Sequence, residues 1–301
     1  MKFPGELFSL MAALFWSFAV VIFKSLSSTI SPFLINALKN TIALICFIIT
    51  MLILEIPIWN NVFTSKEYMI FIVSGFLGMG IADALFIYSL SKIGANRIAI
   101  LNCFEPIAVY LFTFLFLGTL LSGIETIGFI IVIISILIIS YEKDYDDIDP
   151  IIKKKGISLQ IIAILCSGLS MVMIKEILNQ QSSNPSIIIL IAVLRLFIGF
   201  IISWLIFLFQ KNKYVLLSAL KEKKVIIKVL ASSILGTFMA LGCWIFGQTY
   251  IEKLPLASIL GQTTLIFILF LSWMFLKEKI TRLRLIASIF AILGLFLSNY
   301  F

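Results

Sequence analysis

The sequence predicts an all-α integral membrane protein with ten transmembrane helices in two inverted five-helix repeats. Of its 301 residues, 61% are hydrophobic and only 13% are charged, whereas soluble domains usually carry about a quarter charged residues. A spanning helix needs about 20 apolar residues, and apolar runs of that length follow one another along the whole chain. The two halves also share a common residue pattern, which predicts the repeat.

Prolines and glycines separate the apolar runs, since a helix can begin or end there without leaving a backbone group unpaired in lipid. The expected spans are 5–24, 32–54, 67–90, 95–117, 123–141, 156–176, 186–209, 225–247, 255–276 and 281–300. Two polar stretches, 142–155 and 210–224, are predicted to be a linker and a basic loop. The chain therefore divides into a first repeat over 1–141, a charged linker over 142–155 and a second repeat over 156–301.

The two halves match in the same order of elements. Ala12–Lys24 aligns with Ala163–Lys175 without a gap, and in the second span Lys39 aligns with Arg195. A copy with an odd number of spans places the next copy in the opposite orientation, so we expect an inverted repeat. In many secondary transporters with this architecture the binding site lies near the membrane midplane, between the copies. In the third span the aligned small residues are Ser74, Gly78 and Ala82 with Ser232, Gly236 and Ala240.

Several classes of function are excluded by composition. The chain has no histidine, which excludes imidazole metal sites and Ser-His or Cys-His catalysis. Its four cysteines stand singly inside apolar runs, so we expect no metal, cofactor or redox pair. Intramembrane aspartyl proteolysis needs two embedded aspartates, and only Asp83 is predicted to be embedded. We therefore expect a protein that is not an enzyme.

The net charge of +8 comes from basic residues in short connections between spans. This placement indicates contact with anionic lipid of the bilayer rather than with nucleic acid. Most lysines and arginines fall on one face of the ten-span arrangement. By the positive-inside rule that face is cytoplasmic, which would place both termini outside.

Four charged residues lie well inside apolar runs: Lys39, Asp83, Glu105 and Arg195. A charge at bilayer depth costs roughly 3 kcal/mol on insertion scales and normally faces a partner or a wet cavity. The two cations either attract an anionic substrate group or neutralise Asp83 and Glu105; the alternative is that they snorkel toward the interface. A carboxyl among apolar side chains favours its neutral form, which could couple proton movement to transport; a static ion pair with either cation is the alternative.

Neutral polar groups extend this candidate site. Pro106 cannot donate to the carbonyl of Asn102, so the fourth span should kink there and place Asn102 beside Glu105. In the second half Gln248 and Gln262 supply amides that either join helices or contact substrate. The candidate substrate-binding or coupling residues are therefore Lys39, Asp83, Asn102, Glu105, Arg195, Gln248 and Gln262.

Two stretches carry a resemblance to a known family. The segment LGMGIADALFIYSLSKIGANRIAILNCFEPIAVYLFTFLFLG and the later IFGQTYIEKLPLASILGQTTLIFILFLSWMFLKEKIT resemble EamA-type members of the drug/metabolite transporter superfamily. The resemblance implies ten helices in two inverted repeats and the export or exchange of small metabolites such as amino acids. It also implies cytoplasmic termini, opposite to the charge count. Thr119 stands where such proteins usually have a glutamate.

Together these observations predict a secondary active transporter of a small polar or amphipathic metabolite, working by alternating access in the plasma membrane. Transport would be export or exchange, and proton coupling is one hypothesis for its driving force. The alternative is a passive facilitator or channel for small solutes. The predicted partners are a small-molecule substrate and the lipid bilayer; the substrate, the direction of transport and the oligomeric state do not follow from the sequence.

Overall fold

A computed structural model describes residues 4–57, 62–102, 104–140, 149–211 and 222–276, together with isolated positions between 217 and 220 and between 286 and 297. The regular secondary structure of these residues is entirely helical.

The first half contains six α-helices and one π-helical turn. Pro32 lies in the first turn of its helix, where its missing N–H costs nothing, and Thr64 begins the third helix with a capping box completed by Glu67. The elements are α1 (Pro4–Leu26), α2 (Pro32–Ile53), α3 (Ser65–Gly75), the first π-helical turn (Phe76–Ala82), α4 (Asp83–Asn102), α5 (Glu105–Leu117) and α6 (Gly123–Ser140).

The second half repeats this order as far as the structure describes it. Its elements are α7 (Pro150–Gln180), α8 (Pro185–Leu208), α9 (Lys223–Ser232), the second π-helical turn (Ser233–Met239), α10 (Ala240–Tyr250), α11 (Leu254–Gly261) and α12 (Thr263–Leu276). Helix α7 begins six residues earlier than the predicted span at 156. The reason is local: Asp149 accepts a hydrogen bond from the N–H of Ile151, and Pro150 occupies the first turn. Residues 150–155 of the predicted linker are therefore helical.

The predicted all-α membrane fold is confirmed. Six helical segments of the described residues are long and apolar enough to cross a membrane: Pro4–Leu26, Pro32–Ile53, Ser65–Ala95, Pro150–Gln180, Pro185–Leu208 and Lys223–Tyr250. Three shorter apolar helices cover Glu105–Leu117, Gly123–Ser135 and Leu254–Ile268. Most of the predicted tenth span, 281–300, lies outside the described residues, so the count of ten remains a prediction.

The predicted fourth span, 95–117, is broken into two helices. Helix α4 runs through a kink at Gly94, whose φ of 84° favours glycine, and ends at Asn102. Helix α5 then begins at Glu105, next to Pro106. In the second half α11 ends and α12 begins at Thr263, the repeat equivalent of Glu105. Both halves therefore interrupt a helix at the same place.

The π-helical turns also occupy equivalent positions, each seven residues long. Such turns free backbone groups and occur often at functional sites. In the first turn the carbonyl of Met79 accepts a hydrogen bond from Asn40 Nδ2 at 3.2 Å, and the same amide donates to Gly199 O at 3.3 Å. One side chain thus joins α2, the first π-helical turn and α8.

The two halves interlock. Helix α1 packs against α10 and α12 of the second half, α7 packs against α4 and α5 of the first, and α2 packs against α8. A large apolar cluster crosses the boundary, with Phe47 and Phe71 on one side and Ile188, Leu196 and Ile245 on the other. The first helix of each half therefore lies within the other half, and the two halves enclose a central space.

Glycines set the closest approaches at this boundary. A Cβ atom on Gly75 would lie 2.4 Å from the backbone oxygen of Arg195, and one on Gly236 would lie 2.5 Å from Cβ of Ala19. Small residues allow helices in a membrane to approach at backbone distance. Gly75 therefore fixes how closely Arg195 is held to the first half.

A charged cavity between the two halves

A cavity of about 240 Å³ lies between the halves. Residues at equivalent positions of the two repeats line it from both halves, and several of these pairs differ in side-chain chemistry. The matched lining pairs are Ser9 with Gln160, Trp16 with Ser167, Gly78 with Gly236, Asp83 with Leu241, and Phe86 with Trp244.

Lys39 and Asp83 form an ion pair on this wall. Lys39 Nζ lies 2.6 Å from Asp83 Oδ2, with 1% of the lysine and 27% of the aspartate side chain exposed. Lys39 Nζ also donates to Asn40 Oδ1 at 2.9 Å, and Asn40 is fixed by the two carbonyls described above. Helix α2 supplies the cation and the first residue of α4 supplies the acid, so the pair joins two helices and places its charges at the cavity.

Arg195 is held by two serines from different helices. Its Nε donates to Ser74 Oγ at 3.1 Å and its Nη2 donates to Ser170 Oγ at 2.7 Å. Ser170 in turn donates to the carbonyl of Ser74 at 2.8 Å. The guanidinium carbon lies 5.9 Å from the ring centroid of Trp244, a cation–π distance. The side chain is therefore fixed on the cavity wall, with 2% of its surface exposed.

Glu105 lies at the helix break and has neutral partners. Ser167 Oγ donates to its Oε1 at 3.3 Å, and Gln262 lines the same cavity. Within the described part of the chain no cation pairs with this carboxyl group. The four charges are therefore of two kinds. Lys39 and Asp83 pair with each other, while Arg195 and Glu105 have only neutral hydrogen-bond partners.

Of the seven predicted site residues, six line the cavity: Lys39, Asp83, Asn102, Glu105, Arg195 and Gln262. Asn102 Oδ1 accepts a hydrogen bond from Gln160 Nε2 at 2.7 Å, which joins α4 to α7. Gln248 is placed differently. It is buried in the last turns of α10 and is not among the residues that line the cavity, and its backbone oxygen accepts a hydrogen bond from Lys175.

Several residues of the site were missed by sequence reasoning. Gln160, Ser167 and Ser170 lie on one face of α7 and all line the cavity; their spacing of seven and three residues inside an apolar helix is the signal that could have revealed them. Sequence reasoning also missed Ser74, which holds Arg195, and the buried Lys175, which does not line the cavity. Lys175 is 2% exposed and donates to the carbonyls of Gln248 and Ile251, where it satisfies the end of α10.

Part of the cavity lining is apolar. Leu241 stands at the position equivalent to Asp83, and Trp16 and Phe86 lie 5.5 Å apart between ring centroids. A cavity of this size is smaller than the roughly 300–1,000 Å³ of drug-sized sites. The geometry therefore suits a small solute with one charged or polar end and one apolar end. No group of three or more potential metal ligands occurs among the residues that the structure describes.

Comparison with known protein families decides the kind of protein. The model of the EamA-like transporter family matches this chain twice, over residues 3–141 and 154–300. The chain belongs to the EamA-like transporter family. Its members are membrane transporters of small solutes, so this EamA-like protein is a membrane protein of that kind, with a small-molecule substrate.

Structural comparison agrees with the fold of this EamA-like protein. A crystal structure of another protein superimposes with a TM-score of 0.75 at 15% sequence identity, covering 98% of this chain and 96% of the other. At this identity the likeness concerns the fold alone. No curated protein matches the sequence.

Proposed function

We propose that this EamA-like protein is a secondary active transporter of a small polar or amphipathic metabolite, working by alternating access in the plasma membrane. One observation carries the proposal: the four charges that the sequence places at bilayer depth all border one cavity between the two halves. Charges inside a membrane normally mark substrate or ion pathways. If these four charges served only to hold helices together, they would not need to border a cavity.

The helix packing and the broken helices support movement of helix bundles about this cavity. The first helix of each half packs within the other half, and both halves carry a π-helical turn and a broken helix at equivalent positions. In transporters built from repeats, alternating access is largely a rocking of one repeat or bundle against the other around a fixed site. Because α1 and α7 lie within the opposite halves, the units that rock would be helix bundles that each include helices of both proposed repeats, 1–141 and 156–301.

Counterflow in proteoliposomes tests this proposal. The vesicles are loaded with unlabelled metabolites in pools, and a labelled member is supplied outside at low concentration. A carrier accumulates the label transiently above its equilibrium level and saturates, whereas a channel or a channel-like facilitator only equilibrates it. We expect counterflow for wild type and for Lys66→Ala, whose side chain is exposed, and a strong loss in Arg195→Gln, which removes the cavity cation that pairs with no acid among the described residues. Equilibration without counterflow for every pool would favour the passive alternative.

Proton coupling is proposed through Glu105 rather than Asp83. Asp83 forms an ion pair with Lys39 at 2.6 Å, while the hydrogen-bond partner of Glu105 is the neutral side chain of Ser167. A carboxyl group that changes protonation during the cycle must not be locked in one charge state by a neighbouring cation.

We expect Glu105→Gln to keep counterflow, because exchange needs no net proton movement, and to lose uptake driven by a pH gradient. Asp83→Asn should weaken both activities, because it leaves Lys39 without its acid. The measurement compares the two transport modes in the same vesicles. Gradient-driven uptake that survives in Glu105→Gln would refute coupling through this residue.

A further inference from the structure

We propose that Arg195 is the anion subsite of the cavity, so that the transported solute carries a carboxylate or a similar small anionic group. This inference rests on the proposed transport function and names the substrate class of the same site. It also separates the two embedded cations, which the sequence treats as equivalent.

The hydrogen bonds of Arg195 leave one donor group unused. Ser74 and Ser170 satisfy Nε and Nη2, whereas Nη1 is buried and has no hydrogen-bond partner among the described residues. A buried donor without a partner is costly, and a charged one more so. Arg195 lines the cavity, so a solute there, met by a small shift of the side chain, is the partner proposed for this group.

Its charge also has no ion-pair partner among the residues that the structure describes. Lys39 is bonded to Asp83, so that pair contributes no net charge to the cavity. Asp83 acts on Arg195 electrostatically but forms its hydrogen bond with Lys39. A carboxylate is the small group whose geometry and charge match a guanidinium. The structure therefore assigns anion binding to Arg195 and an internal structural charge to Lys39.

Ser74 and Ser170 act as positioning residues for this subsite. They come from α3 and α7, one from each half, and the hydrogen bond from Ser170 to the Ser74 carbonyl joins them. Gly78 keeps the space for this arrangement open, since a Cβ there would lie 2.5 Å from Ser170 Oγ. The apolar lining, Trp244 and Leu241, leaves room for a short hydrocarbon part of the same solute.

A matched series of probes tests the subsite. Isovalerate, isovaleramide and isoamylamine have the same branched tail and carry an anionic, a neutral and a cationic end. Apparent affinity is measured on the full chain in lipid nanodiscs from the dependence of the unfolding temperature on probe concentration. The control variant Lys66→Gln removes an exposed positive charge outside the cavity. Wild type and this control should bind isovalerate roughly tenfold tighter than the amide, as expected for a hydrogen bond to a charged group.

The variants should change this preference and not the binding of the tail. We expect Arg195→Gln to bring the acid-to-amide ratio close to one while the affinity for isovaleramide stays nearly constant. Ser170→Ala should reduce the ratio in part, and Arg195→Lys should restore some of it. If Arg195→Gln does not fold, the acid-to-amide affinity ratios of wild type and of Ser170→Ala still test the subsite.

Two results would overturn the subsite: wild type that binds the acid no tighter than the amide, or an Arg195→Gln variant that keeps the preference. These failures are distinct from failure of the proposed function. Counterflow without an acid preference would refute the anion subsite alone. An acid preference without counterflow for any solute would refute the proposed alternating-access carrier and leave the subsite standing.

Discussion

Replacing Lys39 with methionine is expected to lower the free energy of unfolding by about 3 kcal/mol, because it leaves Asp83 without the cation that balances it. Methionine has nearly the length of the lysine stem, so the change removes the charge and the hydrogen bonds with little loss of volume. The lower end of the usual range applies because 27% of the Asp83 side chain is exposed to the cavity. Unfolding in mixed micelles, compared with wild type, measures the effect.

The double variant Lys39→Met/Asp83→Asn is the control for this prediction. It removes both charges, so most of the lost stability should return, since replacing a whole buried pair is often nearly neutral. The same substitution at the exposed Lys66 should leave stability unchanged. A double variant as unstable as the single one would show that the packing of Lys39, and not its charge, determines the effect.

Gly75→Ala is expected to be the most damaging small substitution at the boundary between the halves. The new Cβ would lie 2.4 Å from the backbone oxygen of Arg195, and a backbone atom cannot move aside as a flexible side chain does. Overpacking of this kind typically costs about 1–3 kcal/mol and occasionally more. Because Arg195 would be displaced as well, the binding of isovalerate should weaken in the variant that still folds.

Gly123→Ala is the matched control for this substitution. Gly123 begins α6, and a Cβ there meets no atom within 4 Å. Alanine is favoured over glycine in helices by up to about 1 kcal/mol, so the control should be neutral or slightly stabilising. If both alanine variants had the same unfolding temperature, close packing at Gly75 would not be important.

The fold could be predicted from the sequence because a membrane imposes strong conditions on it. Apolar runs of spanning length can form only helices there, and the proline and glycine positions mark their ends, as Pro32 and Pro185 do. Aligned residues in the two halves, such as Lys39 and Arg195, indicated the repeat. The same logic identified the embedded charges, since each is costly unless it has a partner or water.

The chemistry of the site was less predictable because it depends on which helix faces meet. Repeat symmetry makes Lys39 and Arg195 look alike, yet one is bonded to a carboxylate and the other to two serines. Ser74 and Ser170 are small polar residues of a kind that occurs often in membrane helices for packing alone. Lys175 stands at the end of the predicted span 156–176, and the packing of α7 against α10 buries it.

The central claim is that the transported solute occupies the cavity between the halves, and thiol labelling tests it most directly. Ser167→Cys is a nearly isosteric change on the cavity wall beside Glu105. Leu165→Cys, two residues away on the same helix, is 43% exposed on the outer surface and serves as the control. Both are made in a background in which the natural cysteines are replaced by alanine: Cys46, Cys103, Cys166 and Cys243.

Counterflow is then measured before and after treatment with a charged, water-soluble methanethiosulfonate reagent. We predict that the reagent abolishes counterflow only in Ser167→Cys, and that the solute which shows counterflow, at saturating concentration, protects this cysteine. Counterflow that persists after complete labelling of Ser167→Cys, or labelling that the solute does not slow, would contradict a transport site in this cavity.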